Sequence, residues 1–134
     1  MQTKKLYKIA EKNDIKVECF PLAETQAITI QLGEKCFVAI DPSVICSPSK
    51  EKVCLAHELG HCQTGAFYNE YSSLDSRTRH EKRAERWAIE RLIPLTELKK
   101  AIKNGCDDLM LLCDHFEVPP EFMYKALLHY GKRN

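Results

Sequence analysis

The sequence carries almost no net charge. Twenty basic residues stand against nineteen acidic ones in 134, so nothing global draws the chain to nucleic acid or to an anionic membrane. Apolar runs long enough to span a bilayer are missing. The segment Met1–Lys8 has no apolar core of the signal-peptide kind, which makes a cytoplasmic location the expectation. Internal repeats, low-complexity stretches and linker-like segments are missing too, so residues 1–134 read as one domain. With 44% hydrophobic and 29% charged residues, the composition is that of an ordinary globular chain. The seven cysteines form no C-x-x-C pair and are odd in number. Without an export signal they are expected to be free thiols that act as small hydrophobes.

What is present is sharper. His57-Glu58-Leu59-Gly60-His61 spells H-E-x-x-H, preceded by the apolar run Val53-Cys54-Leu55-Ala56. On a helix, histidines four residues apart lie one turn apart on one face and can point at a single metal ion. Glu58 sits next to that face, in reach of a water at the metal. Catalytic zinc takes three protein ligands and leaves a fourth position to water, so a third ligand is needed. Cys54 and Cys62 flank the motif, but Cys62 follows His61 directly and points about 100° away. Neither cysteine is expected to ligate.

Residues His80 to Pro94 have helical periodicity, with Glu81, Ala84, Glu85, Ala88 and Leu92 on one face. Glu81 thus opens a stripe of small and apolar side chains, where an uncompensated charge is costly unless it is paired, protonated or metal-bound. Glu81 is the first choice for the third ligand. Glu85, one turn further on, and His80 are the alternatives.

Together, Leu55-Ala56-His57-Glu58-Leu59-Gly60-His61 and Glu81-x-x-Ala84-x-x-Trp87-Ala88-x-x-x-Leu92-x-Pro94 resemble the two motifs of the ImmA/IrrE metallopeptidases. The resemblance covers about positions 50 to 95 well and the flanks more loosely. The chain departs from the family pattern at Trp87, where Phe is usual, and at Glu85, where a small or amide residue is common. The resemblance implies a zincin-like metallopeptidase domain. It implies His57, His61 and Glu81 as ligands of one Zn2+ per chain and Glu58 as the catalytic acid/base. It further implies regulated cleavage of one intracellular protein, typically a repressor of a mobile element (such as a prophage) or of a stress regulon.

Along the chain the expected elements make an α+β fold, mainly helical, with a small three-stranded antiparallel sheet beside the H-E-x-x-H helix. Residues 3–13 read as an amphipathic helix, and 15–20, 27–32 and 35–40 as strands. Gly33-Glu34 turns a hairpin between the last two, and Asp41-Pro42 closes it. Ser47-Pro48 starts the metal-site helix, by a serine cap and a proline at the first helical position, and that helix runs to about Thr64-Gly65. Residues 66–76 read as a rim of the site. Beyond residue 95, which closes the catalytic core, residues 96–134 form helices packed on it: one capped by Thr96, then Asp107–Phe116 and Pro120–Tyr130.

Leu109-x-x-Leu112-Cys113-x-x-Phe116-x-Val118-Pro119 resembles half of a helix-turn-helix, yet the following helix has no basic stripe of the kind a DNA footprint needs. A hairpin packed on the core is the preferred reading, and nucleic acid is not expected as a partner. Tyr68, Tyr71 and His80 are candidate transition-state donors by location. The strand Lys35–Ile40 is the expected sheet edge for an extended substrate. The leading expectation is a zinc endopeptidase acting on a repressor-like protein. The alternatives are a non-catalytic regulatory or binding module on the same scaffold, or DNA binding through the C-terminal helix pair.

Overall fold

The computed structural model describes residues 1–65, 67 and 72–131. Its elements are α1 (Thr3–Lys12), β1 (Ile15–Cys19), β2 (Ala27–Leu32), β3 (Lys35–Ile40), α2 (Pro42–Ile45), α3 (Pro48–Thr64), α4 (Leu74–Leu92), α5 (Leu95–Lys103), α6 (Leu109–Phe116) and α7 (Pro120–Gly131). The expected α+β character holds, with one correction: the sheet is mixed rather than antiparallel. Strand order is β1-β3-β2, with β1 parallel to β3 and β2 antiparallel to it. The hairpin forms as Gly33 requires, at a φ of +64°. Residues 20–26 then carry the chain from β1 past the place of β3 to the far edge, so β3 is the central strand. The expectation that Lys35–Ile40 forms an open edge is therefore wrong; β3 is paired on both sides.

Local chemistry explains most helix boundaries. The Ser47 hydroxyl accepts from the Lys50 N–H at 3.4 Å at the start of α3, Pro48 occupies the first turn, and Gly65 ends the helix at a φ of +66°. Asp41 does more than close the hairpin. Its carboxylate accepts from the Ser43 N–H at 3.1 Å, which nucleates the short α2, and from the Leu22 N–H at 3.0 Å, which ties the loop before β2 to the end of β3. These donors, Leu22 foremost and then Ser43, hold its carboxyl below the usual carboxylate range. α4 begins at Leu74, well ahead of His80, because Ser73 accepts from the Ser76 N–H at 3.1 Å. At α5 the cap position is Pro94, and Thr96 lies inside the first turn.

One hydrophobic cluster runs through the chain, from Leu6 and Ala10 of α1 through Val38, Ile40, Leu55, Leu59, Ala88 and Leu92 to Leu112, Phe116, Phe122, Met123 and Ala126. Two buried polar bonds among the described residues fasten the C-terminal helices to it. The buried Lys52 of α3 donates from Nζ to the Phe116 carbonyl at 2.6 Å, capping the C-terminal end of α6. The Tyr130 hydroxyl donates to the Ile93 carbonyl at 2.6 Å. Burial lowers the Lys52 pKa, as expected for an ammonium removed from water.

The cysteines also need a correction. Cys36 on β3 and Cys62 on α3 form a disulfide with their Cα atoms 6.0 Å apart, so not all seven are free thiols. Cys36 shares the helix-facing side of the sheet with Val38 and Ile40, which brings its sulfur to α3.

Candidate active site

The two histidines sit one turn apart on α3, with ring centroids 5.0 Å apart and planes at 74°. Glu81 arrives from α4. Its Oε2 lies 2.8 Å from His57 Nε2 and its Oε1 lies 3.1 Å from His61 Nε2. One ligand atom from each residue can be chosen so that all three fall within 4.8 Å of one another. Donors about 2.0–2.2 Å from a tetrahedral zinc stand roughly 3.3 Å apart, and the two Glu81 contacts, at 2.8 and 3.1 Å, are close to that separation. His61 is buried, whereas His57 and Glu81 keep an open side toward the cleft.

The close approach of α3 and α4 depends on Gly60, which lies between the two histidines. A Cβ there would meet the Ala84 carbonyl oxygen at 2.5 Å and the Ala84 C and Cα at 3.1 Å. Gly60 and Ala84 therefore let the backbones touch, and that contact carries Glu81, one turn before Ala84, to the histidines. Among the candidates for the third position, Glu81 is the one that joins them. Glu85 instead pairs through Oε1 with Lys125 Nζ of α7 at 2.9 Å. His80 precedes Glu81 by one residue, about 100° around α4, and is not part of the cluster. Tyr68 and Tyr71 lie outside the described residues.

Glu58 is half-buried, and its Oε2 accepts a hydrogen bond from the Thr29 hydroxyl of β2. Sequence reasoning missed Thr29, although strand alternation already separates Ala27, Thr29 and Gln31 from Ile28, Ile30 and Leu32. Cys54, one turn before Glu58, has its thiol pushed up to about 12, by burial first and then by the carboxylates of Glu58 and Glu51. Cys54 lines the largest of the cavities described below and is not part of the His57–His61–Glu81 group.

Three cavities meet at this cluster. The largest, about 500 Å³, runs from Glu58 and His57 past Val53 and Cys54 to Phe122 and Lys125. A second, about 400 Å³, lies between His57, Glu81, Arg77 and Leu74. The third, about 260 Å³, is bounded by Ala27, Ile28, Thr29, Glu58, His61 and Glu81. The sheet edge beside the cleft is thus β2, and β2 takes the place expected of β3.

Residues 11–128 match the family profile of the IrrE N-terminal-like domain, peptidase family M78. The chain belongs to that family. No curated protein and no solved structure matches it at a significant level. An IrrE N-terminal-like domain with this arrangement is metallopeptidase-like: a histidine–histidine–carboxylate group able to hold a metal ion, with a second carboxylate beside it. No helix among the described residues is long and apolar enough to cross a membrane.

Proposed function

We propose that the protein is a zinc endopeptidase that hydrolyses a peptide bond in an intracellular protein, and that residues 1–134 act as a single cytoplasmic catalytic domain. The observation that carries this reading is the convergence of His57, His61 and Glu81 from two helices, with Glu58 beside them at the meeting point of three cavities. Two imidazoles and one carboxylate suit zinc, and leave it an open position. When bound, zinc supplies Lewis acidity, bringing a water's acidity near neutral pH and polarising a carbonyl.

The chain's own residues do the rest. Glu58 takes the proton of the attacking water and passes it to the departing amine, one group serving as base and then acid. The outer edge of β2, which pairs with no other strand among the described residues, offers backbone groups to an extended substrate segment laid along it, and side chains of that segment reach the cavities on either side. A repressor-like regulator of a mobile element or stress regulon is the proposed substrate, on the strength of the family resemblance.

The C-terminal helices support this reading over DNA binding. Phe122, Met123, Ala126 and Tyr130 of α7 are buried, Lys125 is paired with Glu85, and His129 Nε2 lies 3.2 Å from Glu90 Oε1. The basic groups of the helix are therefore tied to α4 rather than arrayed for phosphates.

Replacing Glu58 with Gln tests the proposal. The variant should keep its metal and lose cleavage of the partner by about 100-fold or more, the usual contribution of a general base. Cleavage at the wild-type rate would remove Glu58 from the mechanism, and a metal-replete protein that cleaves nothing would favour a non-catalytic module.

A further inference from the structure

We propose that Thr29 is a positioning residue for Glu58. Its hydroxyl, on the strand that borders the cleft, fixes one carboxylate oxygen so that the other faces the attacking water. The inference rests on the peptidase reading above and adds to it a group from the sheet that acts through the base.

The geometry runs from register to chemistry. Thr29 pairs with Val38 across the β2–β3 ladder, and Val38 is fully buried in the core. Residues directly opposite in an antiparallel pair share a face, so Thr29 points the same way as Val38, toward α3. Ile28 and Ile30 point away. From that position the Thr29 hydroxyl donates to Glu58 Oε2. Both side chains border the same cavity as His61 and Glu81, so the bond is made at the reacting centre.

The residue types suit the task. A glutamate side chain is long and its carboxylate can swing. It offers two acceptor oxygens, and one bond from a fixed donor selects a single orientation. Threonine on a strand is a stiff donor, because its branched Cβ restricts χ1. The bond is made within the chain itself, which is the preorganisation that a reacting group needs. It also links the base to the strand along which substrate lies, so that a segment added to β2 and the carboxylate that acts on it are held by one element.

The test compares Thr29→Val, which keeps the shape and removes the hydroxyl, with Thr29→Ser, which keeps the donor. Both are made in the full chain and loaded with zinc. The probe is the best-cleaved member of a pool of quenched fluorogenic peptides, accepted only if Glu58→Gln abolishes its cleavage. Thr29→Val should lower kcat about tenfold, a fraction of what a general base contributes, with KM and zinc content unchanged. Thr29→Ser should restore most of kcat. Wild-type kcat in Thr29→Val, a loss confined to KM, or a serine variant as impaired as the valine variant would each overturn the proposal. A crystal structure of zinc-soaked Thr29→Val protein judges it without any turnover. The Glu58 carboxylate should leave its single orientation, and a carboxylate held where it is in the wild type would overturn the proposal even if no peptide is ever cleaved. Failure of the peptidase reading itself shows separately, as a pool in which no cleavage depends on Glu58.

Discussion

Adding one methyl group at Gly60 should pull the candidate metal site apart. The Cβ of Gly60→Ala would stand 2.5 Å from the Ala84 carbonyl oxygen, so ordinary contact at about 3.4 Å requires that oxygen to retreat by about 0.9 Å. Two effects oppose each other. An exposed mid-helix Gly→Ala change stabilises a helix by about 0.8–1 kcal/mol. Forcing extra volume into a closed contact costs about 1–3 kcal/mol, and backbone atoms yield less readily than a flexible side chain, which places the cost at the upper end. The net loss is about 1–2 kcal/mol, or a fall in Tm of about 4–8 °C for a chain of this size. The functional loss should be larger, because the same displacement separates Glu81 from His57 and His61, and misplacement by about 1 Å can cost about 100-fold in rate. Thermal denaturation and zinc titration of the metal-free protein measure both effects. A second substitution sharpens the test. The obstructing atoms belong to the Ala84 backbone, so Ala84→Gly should not rescue Gly60→Ala. A Tm at or above wild type with intact zinc affinity would refute the argument that Gly60 sets the α3–α4 distance.

The Cys36–Cys62 link closes 26 residues of chain, for which loop-closure entropy gives about 3.5 kcal/mol. The urea midpoint should fall on adding reductant, and a Cys36→Ser/Cys62→Ser variant should be indifferent to it; equal midpoints for the wild type with and without reductant would contradict the link. Asp41 predicts acid lability. Its folded-state pKa lies below the usual 3.8, so the stability it contributes is present above that value and is lost as pH falls through the lower, folded-state one. Melting curves taken down this acid range should flatten in Asp41→Asn, and an unchanged acid limb would remove Asp41 from the account.

Much of the site was legible because it is short-range. The spacing of His57 and His61, and the stripe Glu81–Ala84–Ala88, follow from the helical period alone. The hairpin of β2 and β3 and the bounds of α3 are written in Gly33, Ser47, Pro48 and Gly65. What was not legible depends on long-range docking. Nothing between Cys19 and Ala27 says on which side of the hairpin β1 will pair, so the central place of β3, and with it the true edge beside the cleft, could not be read. Sequence spacing left both Glu81 and Glu85 open; in the structure Glu81 lies beside the two histidines, while Lys125, forty residues downstream of Glu85, pairs with Glu85. The disulfide joins a strand to a helix whose contact is tertiary, and export-based reasoning about cysteines pointed the other way.

The central claim is that His57, His61 and Glu81 hold one metal ion. Titrating zinc into metal-free protein by calorimetry, with Glu81→Ala and Glu85→Ala alongside, tests it most directly. The account predicts one zinc per chain. Removing even an outer-shell partner costs about 10–100-fold in affinity, so Glu81→Ala should lose at least that much while Glu85→Ala binds as the wild type does. Undiminished binding by Glu81→Ala, or no stoichiometric zinc in the wild type, would contradict it.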